Sequence, residues 1–227
     1  MPTILALDTS TDACSVALNI DGSVKEDFRV IPRQHTQQLL PMVQEMLADA
    51  GIGVRDLDAI AFGRGPGSFA GIRIATGVTQ GLAYAADIPV LPVSTLEALA
   101  LAAARKEQAE RVVAALDARM DEIYVASYRF ENGLPCAELN EKVSAPSDLQ
   151  LENGTYLAVG SGWRYLEDMS EAVKSAVTVA SETYYPSAVD MLVLAESDWQ
   201  KGKAVSAEQA LPVYLRDEVA WKKKDQQ

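Results

Sequence analysis

The sequence predicts an α/β protein made of two copies of one unit, each running β-β-β-α-β-α. Three observations predict it. Apolar runs with the two-residue alternation of strands give way to runs with the 3.6-residue spacing of helices, and the series restarts near the middle of the chain. Ala-Leu-Asp closes the first strand of each series, at Ala6-Leu7-Asp8 and Ala115-Leu116-Asp117. A hairpin pattern follows each of these aspartates. Identity between the halves is thin, so the repeat is one of architecture.

In order, Thr3 to Leu7 reads as a buried strand ending at Asp8. Cys14 to Ile20 alternates as a second strand, Asp21-Gly22 turns the chain, and Val24 to Ile31 is the third. Leu39, Leu40, Val43, Met46 and Leu47 recur at helical spacing and predict a helix over 36–50, ended by Gly51. A strand over 58–62, a small-residue helix from Ser68 to Ala86, a short strand at 90–93 and a helix from Ser94 to about Arg105 complete the first unit. The second unit opens with strands at Arg111–Asp117 and Ile123–Phe130, a turn at Asn132-Gly133, and a strand around Ala137–Val143. A short helix near 146–152, a strand at Tyr156–Val159, a helix near Trp163–Met169, a strand near Val177–Ala180 and a helix from Pro186 to about Lys201 follow. The lobes divide as 1–105 and 106–227, with a C-terminal stretch that either packs back on the first lobe or trails as a solvated tail.

Two such lobes, each with an aspartate before its first hairpin, describe the duplicated actin-like ATPase (ASKHA, ribonuclease H-like) fold of actin, hexokinase and Hsp70. There the two hairpins hold phosphates and metal between the lobes, because a magnesium nucleotide needs carboxylates facing its phosphates.

Bulk properties narrow the function. A formal charge of -12 argues against unaided nucleic-acid binding, since a phosphate backbone is repelled. The basic cluster is Lys222-Lys223-Lys224. Cys14 and Cys136 lie in strand-like runs and read as small core residues. The start has no signal-peptide pattern, and Ile74 to Ala86 is too short to span a bilayer, so a cytoplasmic protein without a membrane partner is expected. His35 is the single histidine, which excludes multi-histidine metal sites and the H-E-x-x-H protease pattern. It precedes a helix and is expected to cap it or face solvent.

The glycine turn Gly63-Arg64-Gly65-Pro66-Gly67-Ser68-Phe69-Ala70-Gly71 joins a strand to a helix, with Ser68 placed to cap the helix. Such a turn either cradles an anion or makes a tight connection. It lacks the lysine of a P-loop, and Pro66 stands where a nucleophile elbow needs glycine. Gly65-x-Gly67-x-x-Ala70 with Asp87 downstream fits only a loose dinucleotide fingerprint, and the tight connection is favoured.

These residues carry a resemblance. Ile4-Leu5-Ala6-Leu7-Asp8-Thr9-Ser10, Ala13-Cys14-Ser15-Val16-Ala17-Leu18, Arg33-Gln34-His35-Thr36, the glycine turn through Gly71-Ile72-Arg73, Leu116-Asp117-Ala118-Arg119, Pro212-Val213-Tyr214-Leu215-Arg216 and Val219-Ala220-Trp221-Lys222-Lys223 resemble the TsaB (YeaZ) family across essentially the whole chain. Ala70 departs from the threonine usual there. The resemblance implies a non-catalytic subunit that binds and activates TsaD. TsaD transfers threonylcarbamoyl from its adenylate to N6 of adenosine 37 in tRNAs reading codons that begin with A. It also implies TsaE as an ATPase in the complex, ATP and a metal held by partner subunits rather than this chain, indirect contact with tRNA, and a homodimer when TsaD is absent. Glycoprotease (M22) labels in the superfamily imply no proteolysis here.

The residues agree with a pseudo-enzyme. TsaD-type proteins carry metal-binding histidines in an H-x-x-x-H segment, and the comparable Val93–Leu99 has none. The first hairpin reads Asp8-Thr9-Ser10, without the glycine that close phosphate approach needs. Asp8, Thr9, Ser10 and Asp117 are therefore expected to be a vestigial cleft, with the aspartates capping strand ends. The predicted partner surface joins the two helices at 36–50 and 68–86: Leu39, Leu40, Val43, Met46 and Leu47 from the first, and Phe69, Ile74, Gly77, Val78, Gly81, Leu82 and Ala85 from the second. Glycines at four-residue steps leave a flat strip for another helix. Arg216 and Lys222, Lys223 and Lys224 are candidates for tRNA or partner contact. The competing functions are a stand-alone actin-like ATPase or small-molecule kinase, and a protease.

Overall fold

Strand β1 (Ile4–Asp8) is apolar on both sides of its pleat, which suits the centre of a sheet covered on both faces. It pairs antiparallel with β2 (Ala13–Ile20), and β2 with β3 (Ser23–Val30). On its other side it pairs parallel with β4 (Ala59–Gly65), and β4 with β5 (Val90–Ser94). The order is β3-β2-β1-β4-β5. The second sheet repeats it: β6 (Arg111–Arg119), β7 (Glu122–Glu131) and β8 (Leu134–Ser144) form the meander, and β9 (Tyr156–Val159) and β10 (Val177–Val179) follow in parallel, giving β8-β7-β6-β9-β10. One strand order used twice is the duplicated actin-like fold. The structure is a computed structural model and describes residues 1–216.

Side-chain size separates the two faces of the first sheet. Leu5, Leu7, Val16, Leu18, Ile60 and Phe62 point to the side covered by α1 (His35–Ala50) and α2 (Phe69–Ala86). Their alternates Ile4, Ala6, Ala17, Ala59 and Ala61 point to the side covered by α5 (Ala188–Gln200). Four of those five are alanines, so α5 settles close to the sheet. Helix α3 (Thr95–Glu107) is shared: Ala98 and Leu101 join the α5 side of the first sheet, while Leu96, Leu99, Ala100 and Ala103 pack on Val112, Ala114 and Tyr128 of the second. Two helices thus lie between two sheets, and α5, from the second half of the chain, covers the first sheet. The division at 105/106 separates the sheets but not these helices. Burying each such Leu or Val contributes about 1.5–3 kcal/mol, so this interior is the main tie between the lobes.

Several local expectations change. The helix expected near 163–169 is a kinked 3-10 segment, Ser161–Asp168. The helix near 146–152 is one 3-10 turn, Pro146–Asp148. A short α4 (Glu171–Ala176), capped by Ser170, was not foreseen. Helix α5 starts at Ala188 because Ser187 caps it, accepting the Val189 N–H at 3.1 Å. Residues 205–216 return to the first lobe as a strap. Val205 and Val90 exchange N–H···O bonds of 2.8 and 2.9 Å, and Ala207 and Ala210 join the first core.

The alanine face makes a test. Ala61→Leu is expected to lower the unfolding free energy by about 1–3 kcal/mol in a urea titration, because the added methylenes have no room under α5. An unchanged midpoint would show that α5 is not close-packed on the sheet.

Candidate functional site

Asp8, at the end of β1, is completely buried. Its Oδ1 accepts the Ser10 N–H at 3.0 Å and the Ser10 hydroxyl at 2.8 Å. Its Oδ2 has no hydrogen-bond partner and lies against Gly63 of β4, where a Cβ would stand 1.9 Å from it. Burial pushes this carboxyl up to about 7, the Ser10 bonds opposing it only in part. Thr9 and Ser10 are buried too, against the start of α2. The Thr9 hydroxyl donates to Gly71 O at 2.6 Å, and the Ser68 N–H donates to Ser10 O at 2.7 Å. A Cβ on Gly71 would stand 1.9 Å from Thr9 O, and one on Gly67 would stand 2.5 Å from Ser10 O.

The glycine turn therefore receives the hairpin backbone, and it is a tight connection rather than an anion cradle. Its glycines permit backbone-to-backbone approach. Ser68 caps α2 as its position predicts, with a long 3.4 Å bond from the Gly71 N–H. A phosphate does not fit here, because the Ser68 amide is committed to Ser10 O and the hairpin fills the space. At Asp8, Thr9 and Ser10 the expected vestigial cleft is a closed junction, in which Asp8 ends its strand by accepting the Ser10 N–H.

Asp117 is engaged differently. Its Oδ1 accepts the Arg119 N–H at 2.8 Å, and Oδ2 lies 3.5 Å from the Arg119 guanidinium and 3.6 Å from that of Arg164. In both lobes the aspartate binds the N–H two residues on, an Asx-type turn closing the strand. Among the described residues no three of His, Cys, Asp and Glu gather into a metal-holding group. In the Val93–Leu99 segment, Ser94 caps α3, accepting the Glu97 N–H at 3.1 Å, and its hydroxyl bonds to Glu141 of β8. Arg64 pairs with the same Glu141 at 3.1 Å, which ties the glycine turn to the second lobe. Burial, with Asp198 and Glu141 nearby, pushes Glu97 up to about 7.

Two single-residue expectations are corrected. His35 is buried, and its Nε2 lies 3.1 Å from Ala13 O. A carbonyl only accepts, so Nε2 carries the proton and the ring is a structural tie. Cys14 is a core residue, its thiol pushed up to about 12 by burial, but Cys136 is exposed because β8 is the outer strand of its sheet.

The predicted partner surface separates into two parts. Leu39, Val43, Met46 and Leu47 are buried in the core of their own lobe, so the wide apolar stripe of α1 is spent on the sheet; only Leu40 of that set is exposed. On α2 the exposed positions include Phe69, Arg73, Gly77, Gly81 and Ala85, one ridge at four-residue steps. A Cβ at Gly77 or Gly81 would meet nothing within 4 Å. Ile74, Val78 and Leu82 flank the ridge, half-buried on their own core. Ala70 is exposed on the first turn. A shallow groove of about 420 Å³, lined by Val54, Arg55, Leu82, Ala85 and Ala86, adjoins the far end. A concavity of about 670 Å³ at the end of the second sheet where β6 and β9 begin contains Arg111 and Arg129, which pair with Glu138 and Glu131.

Sequence reasoning passed over Tyr84, Arg73 and Met120 as surface groups. Tyr84 and Met120 are 72% and 66% exposed. The spacing of Arg73 from Phe69 and Gly77 was a signal that could have placed it on the ridge. Arg216, the candidate for tRNA or partner contact, is engaged within the chain: its guanidinium donates to Ala118 O and Arg119 O at 3.3 Å and pairs with Glu122. Lys222, Lys223 and Lys224 lie outside the described residues.

Residues 29–224 match the family described as TsaD: tRNA N6-adenosine threonylcarbamoyltransferase. The chain is 48% identical to the tRNA threonylcarbamoyladenosine biosynthesis protein TsaB of Escherichia coli (strain K12), over 97% of each chain. It belongs to the TsaB family. The Haemophilus influenzae protein of that name is 43% identical, over 97% of this chain and 96% of its own. The solved structure of YeaZ from Pseudomonas aeruginosa is 48% identical with a TM-score of 0.87, covering 95% of this chain and 100% of that one. Another structure from that organism, described as an uncharacterized protein with similarity to peptidase YEAZ, has a TM-score of 0.89 at 48% identity, with the same coverage. No helix among the described residues is long and apolar enough to cross a membrane.

The closed junction makes two predictions. Gly71→Ala is expected to cost about 3 kcal/mol or to prevent folding, because the Thr9 carbonyl cannot give way. Gly77→Ala, in open space, should be neutral or stabilise by up to ~1 kcal/mol. Equal effects in parallel denaturation would refute the interlock. Asp8 titrates from 3.8 unfolded to about 7 folded, so its contribution is full below the unfolded value and is lost as pH rises through the folded one. Asp8→Asn should therefore gain on the parent protein as pH rises from about 4 to 8, by at most about 4 kcal/mol. A parallel pair of stability-versus-pH curves would contradict this.

Proposed function

We propose that this chain is a non-catalytic subunit that docks on and activates a TsaD-type partner. The partner transfers threonylcarbamoyl from threonylcarbamoyl-AMP to N6 of adenosine 37 in tRNAs reading codons that begin with A. The observation that carries the reading is the exposed ridge on α2, from Phe69 through Gly77 and Gly81 to Ala85, in a chain of the TsaB family. Two glycines in mid-helix weaken it by ~1 kcal/mol each, a cost offset when a partner helix lies close along them. The junction at Asp8 argues for the absence of catalysis in this chain, since the first hairpin has no room for a nucleotide phosphate and a stand-alone kinase or ATPase would need one. A peptidase reading fares no better, with the single histidine buried against a carbonyl.

On this reading the setting is cytoplasmic, and ATP and metal belong to the TsaD-type partner and to TsaE. The chain reaches tRNA only through the complex, as its charge of -12 requires. Without TsaD the same ridge serves a homodimer, and the two states compete.

A purified TsaD homologue, supplied with the adenylate and tRNA, is expected to modify tRNA when this chain is added and not otherwise, and this chain alone should give no product. Gly81→Arg is expected to weaken the complex by about a hundredfold, ~3 kcal/mol, with an unchanged melting curve. A complex of parental affinity would remove α2 from the interface.

A further inference from the structure

The ridge on α2 is too small to hold a partner alone. Its 18 residues make a strip about 27 Å long and ~10 Å wide, on the order of 270 Å², where a stable interface covers about 800 Å² per partner. The α1 side adds little apolar surface, since its stripe is buried and Leu40 stands between Gln37 and Gln44 on the outer face. The other side of α2 is richer. Arg73 lies 3.3 Å above the Phe69 ring and 4.9 Å from the Tyr214 ring of the strap. Phe69, Leu211 and Tyr214 are 68%, 60% and 45% exposed. Arg73 donates to Phe69 O at 3.1 Å and meets no carboxylate among the described residues.

The strap carries this surface into the second lobe. Ala210 O accepts from Gln80 of α2 at 2.7 Å, and the Val213 N–H donates to Arg64 O at 2.8 Å. Two residues beyond Tyr214, Arg216 reaches the β6–β7 turn, with Met120 Sδ at 3.0 Å. In that turn Arg119, Met120 and Asp121 have φ of 64°, 56° and 58°. Three successive non-glycine residues in the left-handed region are costly, and such strain persists where the surroundings over-determine it. Arg216, bonded to the carbonyls of 118 and 119, holds it together with Asp117, whose Oδ1 accepts the Arg119 N–H. The turn therefore presents Met120 fixed in the open beside the strap.

We propose that the partner's footprint runs from α2 across the strap to the second lobe, so that Phe69, Arg73, Leu211, Tyr214 and Met120 form one docking surface. This rests on the reading that α2 docks a TsaD-type protein. The partner meets the surface with apolar side chains and a carboxylate opposite Arg73. Tyr, Arg and Met are the residue types over-represented at interface cores. A partner seated there touches both lobes and fixes their relation.

The test titrates a purified TsaD homologue against the full chain and three variants. The pair Met120→Ser/Tyr214→Ala and the charge reversal Arg73→Glu are each expected to raise Kd about tenfold or more, with unchanged circular dichroism and melting. Amide exchange at 118–122 and 205–216 should slow on partner addition. Parental Kd for both variants, or no slowing at those amides, overturns the proposal. Gly81→Arg, run alongside, separates the two claims. If it abolishes binding while the strap variants do not, the α2 reading stands and this inference falls. If the strap variants weaken self-association but not binding of the homologue, the occupant is a second copy and the proposal as stated is wrong.

Discussion

The carbonyls of Thr9 and Ser10 lie where side chains at 71 and 67 would otherwise stand. This backbone-to-backbone contact joins the first hairpin to the start of α2, and much of the rest follows from it. It fixes where α2 begins and how it lies on β1 and β4, and so which of its faces is left outward. It buries Asp8 completely and leaves Oδ2 without a hydrogen-bond partner, and that burial pushes the carboxyl up to about 7. The contact that closes the first hairpin is thus the one that sets α2.

The two lobes are bound together by exchanged elements. Helix α5 comes from the second half and lies on the alanine face of the first sheet; α3 comes from the first half and packs on the second. Small side chains on one face and large ones on the other make this possible, because only the alanine face admits a helix at close range. The strap adds a second crossing outside, from Val205 beside β5 to Arg216 on the β6–β7 turn. The Arg64–Glu141–Ser94 cluster adds a polar one. Motion of one lobe against the other therefore disturbs the start of α2, through both Arg64 and the strap.

Much of the fold was legible locally. Alternation and helical spacing placed the strands and α1, α2 and α3 within a few residues, and Ala-Leu-Asp repeated in both halves exposed the duplication. The misplacements have physical causes. The segment 161–168 carries helix-like spacing but starts after Gly160 at φ 98° and kinks at Tyr165, so it stays 3-10. Cys136 sits in an apolar run, yet β8 is an outer strand and one side of it meets solvent. His35 looked like a helix cap because spacing does not show that Ala13 O lies beside it.

The site divides along the same line. The sequence by itself favoured a tight strand-to-helix connection for the glycine turn, excluded a multi-histidine metal site by its single histidine, and placed Gly77 and Gly81 on one helix face. Each is a matter of residue type and short spacing, which local chemistry decides. Only the tertiary structure decided that the α1 stripe is consumed by its own sheet, that the first hairpin is closed, and that Arg73 stacks between Phe69 and Tyr214 while Arg216 steadies Met120. Those contacts join residues far apart in the chain, and a periodicity names an apolar face without saying what covers it.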